Sequence, residues 1–121
     1  MGHDELPLFV LWEKVLGDLL DRTQKFPKNV RFTFSSRIDN LALDTLDRIV
    51  QACYASGGKK RMLLKEIDML LVRLRILTRV CFERRFLDRR GYEQLARNLD
   101  EAGKMVGGWR RTIDEPRRSS V

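Results

Sequence analysis

An all-α fold, an antiparallel four-helix bundle running up-down-up-down, follows from three features of this chain. Apolar residues recur at spacings of three and four through four long stretches. Only three prolines and two Gly-Gly steps punctuate 121 residues, too few turns for a sandwich or barrel. The connections between the stretches are short, which favours helices that pack beside their chain neighbours. A chain of this length buries a core as one domain without disulfides or metals. The expected division is a bundle over residues 1–109 and a flexible basic tail over 110–121.

The first helix is expected over residues 6–23. Pro7 suits an early helical position, and Leu8, Trp12, Val15, Leu16 and Leu19 form its apolar stripe. Pro27 disfavours helix at Phe26 and ends the segment. The second helix is expected over 30–55, turning Phe34, Ile38, Leu41, Ala42, Thr45, Ile49 and Cys53 inward. Ser56-Gly57-Gly58 closes it, with a glycine available for the left-handed conformation. The third, over 59–86, carries Leu63, Leu64, Ile67, Leu70, Leu71, Leu74, Leu77, Thr78 and Cys81 toward the core. The fourth, over 92–106, uses Leu95, Ala96, Leu99, Ala102 and Gly103. Gly107-Gly108 is the expected stop, with Trp109 folding back over the bundle end.

The third helix has a second apolar stripe. On a wheel of about 100° per residue, Met69, Val72, Ile76 and Val80 fall within about 80° of one another, roughly opposite the core stripe. A bundle helix needs one buried face, so the second is expected to contact another protomer or a partner. Scattered surface hydrophobics are the alternative. A heterologous contact of this kind closes into a ring when the rotation allows. The second helix echoes it weakly in Leu43, Val50 and Tyr54.

Charge is concentrated on the same helix. Residues 59–90 hold eleven Lys/Arg against four Asp/Glu (+7), residues 1–58 seven against eight (−1), and residues 91–121 six against five (+1). One segment thus supplies the whole formal surplus. A basic helix on a near-neutral body points to a polyanion, because Lys and Arg displace condensed counterions from phosphates. A solvated helix face is the alternative. Arg61, Arg75 and Arg79 flank the second stripe on one side and Arg73 and Arg84 on the other. Arg85, Arg89 and Arg90 continue the charge around the next turn. Glu66, Asp68 and Glu83 are available to pair with some of them. Arginine outnumbers lysine here, which favours forked phosphate contacts. Phe26, Phe32 and Phe86 are candidate stacking surfaces for single strands, or packed rings. With no RRM, KH or helix-turn-helix signature, the expected contact is to the backbone and not sequence-specific.

Catalysis is poorly provided for. The only histidine is His3, and there is no nucleophile elbow, phosphate-cradling glycine loop or metal-ligand cluster. Asp44/Asp47 and Asp100/Glu101 read as solvent-facing charges. No enzyme activity, cofactor or metal is expected. Cys53 and Cys81 lie on apolar faces without CxxC spacing and read as reduced core residues; an interhelix disulfide is the alternative. No apolar run spans a bilayer, so no membrane partner is expected. The acidic start lacks the pattern of a signal peptide, and Leu6 stands where a myristoylation signal needs Ser or Thr. A cytoplasmic location is the expectation.

The run Lys25-Phe26-Pro27-Lys28-Asn29-Val30-Arg31-Phe32-Thr33-Phe34, then Arg37-Ile38 and Leu41-Ala42-Leu43-Asp44, resembles a bacterial four-helix-bundle family. That family includes the ribosomal intervening-sequence proteins and the accessory variability proteins (Avd) of diversity-generating retroelements. Tyr92-Glu93-Gln94-Leu95-Ala96 and Glu101-Ala102-Gly103-Lys104-Met105-Val106-Gly107-Gly108-Trp109 extend the resemblance, as does the Leu-Arg-rich run from Leu70 to Arg79. The resemblance implies a homopentameric, barrel-like and strongly basic assembly without catalytic residues. It also implies association with the retroelement's reverse transcriptase and template RNA, in support of error-prone copying. Arg73, Arg75 and Arg79 match the family's basic third-helix positions and take a nucleic-acid or polymerase contact role, with Arg84 and Arg85 continuing it. Arg31 and Arg37 take the same role or pair within the fold. Tyr92 and Trp109 carry over only as packing residues. The other functional reading is a ring-forming scaffold, like the intervening-sequence proteins, that docks an acidic protein without nucleic acid.

Overall fold

The computed structural model describes residues 5–114. Four long helices account for most of them: α1 (Glu5–Thr23), α2 (Ser36–Tyr54), α3 (Gly57–Glu83) and α4 (Arg89–Asp114). Each of α2, α3 and α4 packs on the helix before it, and α4 also packs on α1. The four therefore enclose one core, a four-helix bundle with no strand among the described residues.

The core is the set of apolar positions that helical spacing selects. Leu8, Trp12, Val15 and Leu19 of α1 meet Ile38, Ala42 and Ile49 of α2, Leu64, Ile67, Leu71 and Leu74 of α3, and Leu95, Leu99 and Ala102 of α4. Trp12 is fully buried, and its indole Nε1 donates to the Ala42 carbonyl at 2.9 Å. That bond satisfies the one polar atom the ring brings inside. In α2 the inward position near the end belongs to Ala52, while Phe34 and Cys53 are only half-buried.

The second helix does not start cleanly at residue 30. A 3-10 turn (Lys28–Val30) leads into a π-helical turn (Arg31–Ser35), and α2 follows. The Ser36 hydroxyl donates to the Arg31 carbonyl at 2.9 Å, and the Ser36 N–H bonds the same oxygen. Ser35 Oγ donates to the Thr23 carbonyl at 3.4 Å, and the Thr23 hydroxyl donates to Asp39 at 2.7 Å. The wider turn lets Phe34 meet the Phe86 ring at 5.6 Å while Ile38 stays in the core. Phe26 reaches the same ring, also at 5.6 Å. This aromatic group ties the α1–α2 connection to the α3–α4 connection at one end of the bundle.

Between α3 and α4 the chain reverses through a Schellman arrangement. Phe86 N–H bonds the Cys81 carbonyl at 2.8 Å and Arg85 N–H bonds the Phe82 carbonyl at 3.0 Å. Arg85 occupies the left-handed position, φ 66°, where glycine is usual. Asp88 then accepts from the Gly91 N–H at 2.7 Å and caps the start of α4. Gly57, at the opposite junction, takes φ 58° as the Ser56-Gly57-Gly58 sequence anticipates.

The stop expected at Gly107-Gly108 is not there. α4 continues to Asp114, and neither glycine takes a positive φ. Each glycine costs a helix about 1 kcal/mol relative to alanine, but ending at Gly107 would expose Trp109, which is 4% accessible within α4. Lys60 lies 5.3 Å from the Trp109 ring centroid and pairs with Glu5 at 3.0 Å. These contacts join α1, α3 and α4 at that end and hold the last turns helical. Residues 110–114, expected in the tail, are thus part of α4, and the remainder of the expected tail lies outside the described residues.

Candidate nucleic-acid interface

Two of the carboxylates of α3, Glu66 and Asp68, are engaged by neighbouring helices and not by the arginines farther along α3. Glu66 accepts from Arg48 of α2 at 2.9 Å, and Asp68 pairs with Arg110 of α4. Arg73, Arg79, Arg84 and Arg85 are exposed, and none forms an ion pair among the described residues. The expected competition from Glu66 and Asp68 therefore does not reach them. Farther along the turn, Arg89 lies 5.5 Å from the Phe82 ring centroid and 3.9 Å from Glu93. Phe82 in turn stacks on Tyr92 at 4.7 Å.

Arg75 is held differently. Its Nε is buried, lacks a hydrogen-bond partner, and lies 3.7 Å from Asp100. A β-carbon at Gly103 would collide with its Nη2, so the guanidinium lies across α4 where α4 has no side chain. Around it opens a cleft of about 400 Å³ lined by Arg75, Asp100, Gly103, Lys104, Gly107 and Arg111. Lys104 and Arg111 escaped the sequence reading. They are seven residues apart on one face, a signal hidden by the helix stop expected between them.

Arg31 and Arg37 are exposed at the end of the bundle where Phe26, Phe34 and Phe86 meet, the end that also carries Arg84 and Arg85. Phe26 and Phe86 are packed, whereas Phe32 is 87% exposed. Of the second apolar stripe, Met69, Val72 and Ile76 are exposed and Val80 is half-buried. Met62 extends the exposed set toward the start of α3. Leu43, Val50 and Tyr54 of α2 are also exposed, as are Leu6 and Val10 of α1.

Cys81 is fully buried, and desolvation pushes its thiol up to about 11; burial, with Glu5 adding, also raises Cys53. Both cysteines are free thiols. Among the described residues no group of three or more His, Cys, Asp or Glu could hold a metal ion. None of their helices is long and apolar enough to cross a membrane. His3, Pro116, Arg117 and Arg118 lie outside the described residues.

A protein-family model described as bAvd-like matches residues 10–113. No curated protein and no solved structure matches the chain. The family match begins in α1, ends in α4, and takes in the π-helical turn, the arginines of α3 and the Gly-Gly-Trp segment. By that match over most of its length, the chain belongs to the bAvd-like family.

Proposed function

We propose that this chain is the non-catalytic accessory subunit of a diversity-generating retroelement. It binds template RNA or its cDNA through the phosphate backbone and docks the reverse transcriptase, leaving polymerisation to that partner. The observation that supports this most is that Arg73 and Arg79 of α3, with Arg84 and Arg85 of the following turn, are exposed and form no ion pair among the described residues. An exposed arginine that forms no ion pair keeps its donors for phosphate. The antiparallel bundle assembles into a closed ring, a pentamer by the family resemblance, with Met69, Val72, Ile76 and Val80 at the contact. The assembly works in the cytoplasm.

The test is a salt titration of binding to a single-stranded RNA, for which the log–log slope is about 0.7 per phosphate neutralised. Replacing Arg73, Arg75 and Arg79 together by Glu is expected to weaken binding and flatten that slope, with the helical circular-dichroism signal retained. Unchanged binding would rule out the α3 surface. Displacement of a bound protein partner by heparin but not by RNA would favour the scaffold that docks an acidic protein.

A further inference from the structure

We propose that Phe32 is a stacking platform for an unpaired base of the bound nucleic acid, a role that rests on the polyanion reading above. Phe32 is 87% exposed, the largest exposure of any large hydrophobic side chain among the described residues. An aromatic ring held in water is unfavourable, and nothing else in the bundle covers it. Its outward position is built into the turn. The Ser36 hydroxyl bonds the Arg31 carbonyl at 2.9 Å, the Thr33 hydroxyl bonds the Val30 carbonyl at 3.3 Å, and Ser35 bonds Thr23 at 3.4 Å. Phe34, two residues on, is anchored against Phe86 at 5.6 Å. With that ring committed to the bundle and the π-helical turn pinned on both sides, Phe32 is left facing solvent.

The surroundings of the ring select its ligand. Lys25, Lys28, Arg31 and Arg37 are all exposed, and none pairs with a carboxylate among the described residues. Arg84 and Arg85 add to the same end of the bundle. A free ring among unpaired cations is the arrangement that holds single strands: the cations track the backbone and the ring takes a base face. Beside the turn lies a cleft of about 310 Å³ whose lining includes Thr23, Arg31, Ser36 and Asp39. Its Thr23 and Ser36 hydroxyls already donate to Asp39 and to the Arg31 carbonyl, so the Arg31 guanidinium is the group it offers a ligand. A duplex offers no free base face, so the platform discriminates single strands from duplexes without reading sequence.

The experiment compares wild type, Phe32→Ala and Phe32→Trp against a 20-nucleotide oligoadenylate, an RNA duplex of similar length, and heparin. Phe32→Ala is expected to weaken oligoadenylate binding about tenfold and to leave duplex and heparin binding unchanged. Phe32→Trp is expected to retain affinity. Its exposed indole, distinct from buried Trp12 and Trp109, is expected to be quenched by oligoadenylate and not by heparin. Equal oligoadenylate affinity for wild type and Phe32→Ala overturns the platform alone. So does a change in assembly mass in Phe32→Ala by light scattering, which would place the ring between copies of the chain. Failure of the wild type to bind any RNA overturns the polyanion reading and the platform together.

Discussion

Arg75 of α3 lies across Gly103 of α4 so closely that no β-carbon fits beneath its guanidinium. The atom in the way is the far end of a flexible side chain, so Gly103→Ala moves Arg75 and little else. Alanine also favours the helix by about 1 kcal/mol over glycine. The variant is expected to be as stable as wild type or up to about 1 kcal/mol more stable. Its RNA affinity is expected to fall about threefold, because Arg75 no longer sits with Lys104 and Arg111 as a charge-assisted phosphate donor. Denaturant melts and a binding isotherm check both halves, and a stability loss would refute this account of Gly103.

Arg85 occupies the left-handed position that ends α3. For a residue with a β-carbon this conformation costs roughly 1–2 kcal/mol, and glycine adopts it freely. Arg85→Gly is expected to stabilise the fold by about 1 kcal/mol while weakening RNA binding. A variant that is both more stable and equally competent in binding would remove Arg85 from the interface.

Met69 and Ile76 are each about half exposed, 52% and 50%. Charges at exposed positions usually change folding stability by less than about 0.5 kcal/mol. Met69→Glu combined with Ile76→Glu is therefore expected to leave the bundle folded and, by the protomer contact proposed for this stripe, to yield single chains. Light scattering reads the mass directly; an unaltered mass would place the protomer contact elsewhere.

Trp12 fills the centre of the core with no solvent exposure. Trp12→Ala is expected to cost about 3–5 kcal/mol, from lost burial and the cavity left behind. Trp12→Phe keeps most of the ring but loses the donor to Ala42, and should cost clearly less. Urea midpoints of the two variants are the measurement.

The Cys81 thiol, raised by burial to about 11, remains neutral at neutral pH. At pH 8 only about one part in a thousand is thiolate, the reactive form. A thiol whose ionisation is suppressed by folding adds stability below its unfolded pKa, and loses it as pH rises through the folded value. Native protein is expected to react with a thiol-specific disulfide reagent slowly and at half-buried Cys53 first. Cys81 should become reactive only on unfolding or well above pH 9. Rapid native labelling of Cys81 would contradict its burial.

Much of the bundle was legible along the chain because helical spacing is a local property. The stripes of Trp12, Ile49, Leu71 and Leu99 announce their buried faces without knowledge of any partner. The excess of arginine on α3 was equally plain. The turn before α2 was harder to read: helical spacing turned Phe34 inward, but Phe26, Phe32 and Phe86 all stood as stacking or packed rings, and only Phe32 is free. Its fate depends on a π-helical turn stabilised by Ser35 and Ser36, whose bonds no periodicity encodes.

The sequence by itself determined the helices, their apolar faces and the location of the positive charge, since each follows from the order of residues within one segment. Only the tertiary structure decided which cations remain open. Glu66 and Asp68 share a helix with Arg73 and Arg79, but neighbouring helices bring Arg48 and Arg110 to them instead. The packing of Trp109 likewise carried α4 past two glycines that read as its end. Such outcomes depend on the rotation of each helix against its neighbours, which is fixed only when all four bury their faces at once.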